Sequence, residues 1–131
     1  MNPIRKAVGS LALFALAVAA PVLAHPQLLQ AAPSQAATAS NVRAISLRFS
    51  ERLIAPMSGF DVSIIAMPGM GQAMNGHSNK LPGVKATVAR DGKTLSAQFA
   101  RSLKPGTYVV NWHAVSVDTH RISGKVNFTV R

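Results

Sequence analysis

The sequence predicts an all-β protein: a single small Greek-key β-barrel or sandwich of the immunoglobulin-like type, with about seven strands. Apolar and polar residues alternate along most of the chain, which is the period of a half-buried strand and not of a helix. Turn signals rich in glycine, proline and aspartate separate the alternating stretches at short intervals. Short antiparallel strands at this spacing are typical of a Greek-key sandwich.

The alternating stretches give the strands in chain order. A short first strand is expected near Gln27–Gln30. The further strands are predicted over residues 45–49, 60–64, 84–88, 95–99, 108–114 and 126–130. Two stretches rich in small residues, glycine and proline are predicted as loops, Ala31–Asn41 and Met67–Gly83. At the start of the strand over 108–114, the sequence fits a corner in which the hydroxyl of Tyr108 ties down a loop.

Residues 1–24 have the layout of a cleaved secretory signal peptide. A basic start is followed by a run of 14 mostly apolar residues, Ala7–Ala20, which Pro21 interrupts. A membrane span needs about 20 apolar residues, so an uncleaved anchor is the less favoured alternative. Cleavage is expected after Ala24, because cleavage after Ala20 would leave Pro21 as the first residue. The exported chain would then be residues 25–131, in the periplasm and without a membrane span.

Residues 25–131 are long enough for one domain with a single core. The leader carries two of the 14 basic residues and none of the four acidic ones, which leaves a net charge of +8. The basic residues are scattered singly among few aromatics, which argues against nucleic-acid binding and favours a solubilising surface. The chain has no cysteine, so disulfides and thiolate metal sites are excluded. We expect a monomer.

The second predicted loop carries the first chemical signal. Methionine is usually core filler, but the prolines and glycines of this loop prevent a regular element on which a core stripe could lie. Soft thioethers prefer Cu(I), and imidazole binds either oxidation state of copper. The alternative is that the methionines cap an open end of the barrel. The candidate ligands are Met67, Met70, Met74 and His77.

The second signal is the pair Asp118 and His120. Residues two apart point to the same side of an extended chain, so the carboxylate and the imidazole would be neighbours. Cu(II) or Ni(II) takes such donors, with nitrogen partners, in a tetragonal plane. The alternative is a surface ion pair, since one spacing match carries little specificity.

Cleavage after Ala24 would add His25 to this pair. The free amine and the Nδ1 atom of a terminal histidine can close a six-membered chelate on one metal ion. Pro26 has no amide proton, so copper cannot move to a deprotonated peptide nitrogen at that bond. His113 follows Trp112 and falls on the opposite face of its strand. For His113 we expect a surface position, with an auxiliary copper contact as the alternative.

Together these features resemble the periplasmic copper-resistance protein CopC family, and the resemblance covers essentially all of residues 25–131. The family implies a Greek-key β-barrel with a Cu(II) site at one end and, in some members, a Cu(I) site at the other. The motifs that carry the resemblance are His25-Pro26, Leu47-Arg48-Phe49-Ser50-Glu51, Met67-Pro68-Gly69-Met70, Pro105-Gly106-Thr107-Tyr108, Trp112, and Val115-Ser116-Val117-Asp118-Thr119-His120 followed by Ile122-Ser123-Gly124.

Residue by residue, the resemblance implies that Cu(II) is bound by His25, through its amine and ring, together with Asp118 and His120. The implied Cu(I) ligands are drawn from the methionines and the histidine of the second loop. That loop departs from the family pattern, because its methionines are sparser and glycines lie between them.

The predicted function is copper binding in the periplasm, without catalysis, in copper homeostasis and resistance. The protein would sequester copper, or carry it to an inner-membrane copper transporter or another periplasmic copper protein. One alternative is a copper oxidative enzyme of the histidine-brace, monooxygenase-like type. This is less favoured because the short domain leaves little chain for a flat substrate face, and Asp118 would occupy the position of an open oxygen site. Another alternative is a basic interaction module without metal.

Overall fold

The computed structural model describes residues 25–69 and 79–131. One sheet has the strand order β1-β3-β6-β5 and the other has the order β2-β8-β7-β4. A 3-10 turn, Ala55–Met57, precedes β4. The described strands are β1 (Leu28–Ala32), β2 (Ala37–Ala39), β3 (Ala44–Phe49), β4 (Gly59–Ala66), β5 (Thr87–Val88), β6 (Thr94–Gln98), β7 (Gly106–Val115) and β8 (Arg121–Val130).

The two sheets pack their apolar faces against each other, as the alternating pattern predicts. Phe49 meets the ring of Trp112 edge-on at a centroid distance of 5.2 Å, and Tyr108 stacks on Phe128 at 5.5 Å. These rings and the aliphatic residues at alternate strand positions form one buried core. The prediction of an all-β fold is confirmed, and the architecture is a two-sheet sandwich rather than a closed barrel.

Some of the predicted segment assignments are wrong in part. Strand β2 lies inside the predicted loop Ala31–Asn41, where it pairs in parallel with the end of β8. Its three residues are too few for an alternating pattern to reveal. Conversely, only the last two residues of the predicted strand 84–88 form β5. Val84 and Ala86 pack against the core without belonging to a strand, which accounts for the apolar alternation there.

Strand β8 begins earlier than predicted, at Arg121 instead of residue 126. Gly124 interrupts the alternation of large apolar residues, and glycine commonly weakens a strand pattern. In the structure Gly124 pairs with Trp112, and a Cβ atom at position 124 would lie 2.5 Å from Cζ2 of that ring. The glycine is therefore required by the close approach of the tryptophan, and it does not end the strand.

The hairpin of β7 and β8 defines two ends of the sandwich. Its pairing runs from Gly106 with Val130 to Val115 with Arg121, a length of about 30 Å at roughly 3.3 Å per residue. Strand β4 runs antiparallel to β7, so Met67, directly after β4, lies at the Gly106 end. The turn between β7 and β8 lies at the other end.

The predicted tyrosine corner is confirmed at the Gly106 end. The Tyr108 hydroxyl donates a hydrogen bond to the backbone oxygen of Lys104 at 2.7 Å. The ring of Tyr108 is buried, and burial raises the pKa of its hydroxyl. The corner therefore joins the loop before β7 to the core.

Residues 1–24 and 70–78 lie outside the described residues, and with them the predicted signal peptide, Met70, Met74 and His77. In the two ranges that the structure covers, no helix has the length and apolar character needed to cross a bilayer.

Candidate metal site

The segment before β1 fixes the position of His25 at one end of the sandwich. Pro26 is fully buried, although His25 beside it is exposed. The backbone N–H of Gln27 donates to Oγ of Ser50 at 2.9 Å, and the backbone N–H of Ser50 donates to the oxygen of Gln27 at 2.9 Å. The buried Pro26 and the two hydrogen bonds between Gln27 and Ser50 thus hold the segment that carries His25 against the sandwich.

The turn between β7 and β8 carries Asp118 and His120. The backbone N–H of Ser116 donates to the oxygen of His120 at 3.0 Å, and the N–H of Thr119 donates to the oxygen of Ser116 at 2.8 Å. Thr119 has a φ of 72°, in the left-handed region. The two side chains therefore meet across a tight turn, and the assumption of an extended chain at these residues is wrong.

The structure brings all three predicted Cu(II) residues to this end. Nδ1 of His120 lies 3.0 Å from Oδ2 of Asp118, and both side chains are about two-fifths exposed, at 41% and 40%. The rings of His25 and His120 have a centroid distance of 4.7 Å and are tilted by 44°. A carboxylate and two imidazoles from distant parts of residues 25–131 thus form one exposed cluster.

Asp118 is held in its anionic form. The hydrogen bond from the Ser116 hydroxyl and, second, the contact with the His120 ring lower the pKa of this carboxyl from 3.8 to about 2. The backbone N–H of His120 also donates to Oδ1 of Asp118, at 3.4 Å. An anionic oxygen beside two imidazoles is a donor set that suits Cu(II).

The side chains alone do not complete a metal site. Across the two described ranges, no three His, Asp or Glu side chains have a geometry that could hold a metal ion. In the full-length chain the α-nitrogen of His25 belongs to the Ala24–His25 peptide bond, so it is not an amine donor there.

Met67 is the one predicted Cu(I) ligand that the structure describes. It is half-buried and packs against the core. It also lines a cleft of about 350 Å³ beside Ile64, Leu81, Leu103 and Tyr108. For this methionine, the packing agrees with the alternative in which the loop covers an open end of the sandwich.

His113 lies on the outer face of its sheet, opposite to Trp112, as strand parity predicts. It pairs with Gly59, and its ring atom Cε1 would be 3.6 Å from a Cβ atom at that position. This is an ordinary van der Waals distance, and the His113 ring is half-buried. Its place is along β7 and not in the turn that holds Asp118 and His120.

Sequence reasoning gave no role to Ser116, which is only 1% exposed and donates its hydroxyl hydrogen bond to Asp118. A signal was present, since strand parity carried beyond Ala114 predicts an inward-facing serine at position 116. The sequence also gave no role to Pro26 and Ser50 as the base of His25.

A family model described as the CopC domain matches residues 28–131. Copper resistance protein C of Pseudomonas syringae pv. tomato is 40% identical over 116 residues, which cover 87% of this chain and 86% of that protein. Copper resistance protein C of Xanthomonas campestris pv. juglandis is 34% identical over 116 residues, covering 86% and 84%.

Solved structures show the same similarity. PcoC, a methionine-rich copper resistance protein from Escherichia coli, has a TM-score of 0.69 at 34% identity and covers 82% of this chain and 100% of its own. CopC from Methylosinus trichosporium OB3b has a TM-score of 0.57 at 26% identity, covering 81% and 93%. On the match to the family model and to these relatives, the chain belongs to the CopC family.

Proposed function

We propose that this protein binds copper in the periplasm and acts in copper resistance and homeostasis. Two relatives at 34% and 40% identity are named copper resistance protein C. The observation that carries the proposal is the cluster at the β7–β8 end, where the His25 and His120 rings lie 4.7 Å apart and Asp118 contacts His120. These residue types match the donors that Cu(II) prefers.

The Cu(II) ligands are proposed to be His25, through its amine and ring, with Asp118 and His120. The Asp118 carboxylate supplies negative charge for a divalent ion. Because its pKa is about 2, it is ionised at neutral pH and stays ionised in mild acid. The amine arises when the signal peptide, residues 1–24, is removed during export. The bound ion is cargo, which the protein sequesters or gives up to an inner-membrane copper transporter or another periplasmic copper protein.

A second site for Cu(I) is proposed at the loop that follows β4, with ligands drawn from Met67, Met70, Met74 and His77. Thioether donors support this assignment, because they are soft and select Cu(I) over Cu(II). Met67 lies at the end of β4 that is remote from the β7–β8 turn. The two oxidation states would thus be held at separate ends of the molecule.

Equilibrium dialysis of residues 25–131 against Cu(II), with EPR of the bound ion, tests the proposal. We expect a single tight site whose EPR spectrum shows nitrogen and oxygen donors. A protein that retains no Cu(II) would instead be a basic interaction module without metal.

The proposed carrier has no catalytic role for its copper. The exposed cluster contains a carboxylate beside the imidazoles, where an oxidative copper enzyme needs an open position for oxygen. Ascorbate and Cu(II)-loaded protein should therefore yield no more peroxide than copper-free protein, and should oxidise no added polysaccharide. Catalytic peroxide formation that depends on His25 would favour the histidine-brace enzyme.

A further inference from the structure

Ser116 is a buried polar residue whose hydroxyl the proposed ligand set does not use. It lies one residue beyond β7, is 1% exposed, and forms an isolated bridge with Leu53. A hydroxyl removed from water without a partner destabilises the fold. The Ser116 hydroxyl must therefore bond to the protein around it.

Two acceptors are within reach of this hydroxyl. Its Oγ donates to Oδ1 of Asp118 in a short contact, and the backbone oxygen of His120 is 3.5 Å away. A serine hydroxyl has one proton to donate, and hydrogen bonds to an ionised carboxylate are the shorter and stronger kind. The proton is therefore directed to Asp118.

The contacts of Asp118 divide between its two carboxylate oxygens. Oδ1 accepts from the Ser116 hydroxyl and, at 3.4 Å, from the His120 backbone N–H. Oδ2 faces Nδ1 of His120 at 3.0 Å. An exposed aspartate on a turn would otherwise rotate freely about its side-chain bonds. Here one oxygen is held by the fold and the other is directed to the imidazole.

We propose that Ser116 is a positioning residue for Cu(II): its hydroxyl holds Oδ1 of Asp118 so that Oδ2 alone is presented to the metal beside His120. This inference rests on the proposed Cu(II) site. A one-oxygen carboxylate occupies one corner of the tetragonal plane that Cu(II) prefers. Partners that orient a ligand in this way typically contribute 10- to 100-fold to metal affinity.

The test compares Ser116→Ala with Ser58→Ala in competition titrations with Cu(II) on residues 25–131. Ser58 is a matched control, because it is also buried at this end but its hydroxyl bonds to the backbone of Val115. We expect Ser116→Ala to lower Cu(II) affinity by about 10-fold or more and to alter the EPR spectrum. Ser58→Ala should bind Cu(II) as the unaltered chain does.

A double-mutant cycle separates positioning from a general structural effect. If Ser116 acts through the carboxylate, Ser116→Ala should cause little further loss of Cu(II) affinity in a chain that already carries Asp118→Asn. Equal losses with and without Asp118→Asn would overturn the proposal, as would unchanged affinity of the single variant. Absence of Cu(II) binding to the unaltered chain, or unchanged affinity in Asp118→Asn, would instead show that the proposed Cu(II) site is wrong.

If Ser116→Ala fails to fold, a second pair of variants tests the same positioning role. Ser116→Thr and Ser116→Val have nearly the same shape, and only threonine keeps the hydroxyl. The threonine variant should bind Cu(II) more tightly than the valine variant by about 10-fold or more. Equal Cu(II) affinities for these two variants would overturn the positioning role.

Discussion

At the scale of single residues, one substitution at Asp118 distinguishes a Cu(II) ligand from a surface ion-pair partner. Asp118→Asn keeps the size and polarity of the residue but removes the negative charge. We expect Cu(II) affinity to fall by about 10-fold or more, since the ion loses its anionic ligand, and we expect the EPR spectrum to change. Asp61→Asn is the matched control. Asp61 also forms an ion pair, with Lys80 at 3.4 Å, but it lies on β4, away from the cluster of His25, Asp118 and His120. An unaltered EPR spectrum for Asp118→Asn would make Asp118 a surface ion-pair partner of His120.

The sequence identified Asp118 and His120 correctly as neighbours, but for an incomplete reason. Strand parity placed them on one side, whereas the structure joins them across a turn in which Thr119 has a φ of 72°. A positive φ at threonine is uncommon and has no signature in the residue type. The hydroxyl contact from Ser116 depends on that turn, so the sequence did not predict it.

At the scale of elements, the loop after β4 decides whether a Cu(I) site exists. Replacing Met67, Met70 and Met74 together by leucine should abolish Cu(I) binding at the loop and leave Cu(II) binding intact, because only the thioethers are removed. Leucine keeps a similar apolar volume, so the free energy of unfolding should fall by less than ~1.5 kcal/mol. Cu(I) and Cu(II) titrations, with chemical unfolding, measure these quantities.

The control for the loop is Met57→Leu, which changes a methionine that is 55% exposed just before β4. It should leave Cu(I) affinity unchanged. If the triple variant loses its fold and Met57→Leu does not, the loop methionines serve as packing. Cu(I) affinity that survives the triple change would also contradict the ligand role.

The turn between β5 and β6 gives a prediction about pH. Asp91 accepts hydrogen bonds from the Lys93 and Thr94 backbone N–H groups at 2.9 and 3.0 Å, and from the Thr94 hydroxyl at 2.6 Å. The Thr94 hydroxyl and, second, the Lys93 N–H hold the pKa of Asp91 below its ordinary value of 3.8. A lowered folded-state pKa stabilises the fold above 3.8, and this stabilisation is lost as pH falls through the lowered value.

Asp91→Ala should therefore lower Tm at neutral pH, and the difference from the unaltered chain should shrink as pH falls below 3.8. Thermal unfolding at a series of pH values measures the effect. A Tm difference of the same size in strong acid and at neutral pH would show that the ionised carboxylate does not stabilise this turn.

The long strands were predictable because each presents one face to the core. The alternation located most of β3, β4, β6 and β7, where burial follows every second residue. The sequence did not reveal β2, whose pairing with β8 depends on the sheet edge. The sequence also did not reveal the start of β8, because Gly124 interrupts the apolar alternation there. A glycine is needed at this position because the Trp112 ring lies against it.

At the scale of the whole molecule, the sandwich keeps the two proposed copper sites apart. The β7–β8 hairpin between them is about 30 Å long, and the cluster at its turn shares no residue with the loop after β4. Changes at one end should therefore leave the affinity at the other end unchanged. The sequence also gave the net charge of residues 25–131, but this charge did not indicate which end of the sandwich would bind Cu(II) and which would bind Cu(I).

The central claim is that signal-peptide cleavage creates the Cu(II) site. Cleavage after Ala24 would free the α-amine of His25, whose ring lies 4.7 Å from the His120 ring between centroids. Protons compete with copper for amine and imidazole nitrogens, so Cu(II) binding should also weaken as pH falls.

The most direct measurement is a side-by-side Cu(II) titration of two forms of the domain, one beginning at His25 and one retaining a methionine before it. Circular dichroism and Cu(I) binding should be the same for both forms, because the extra residue leaves the sandwich and the methionine loop unchanged. The extended form should bind Cu(II) at least about 10- to 100-fold more weakly. Equal Cu(II) affinities would contradict the account, since they would show that the amine of His25 is not a ligand.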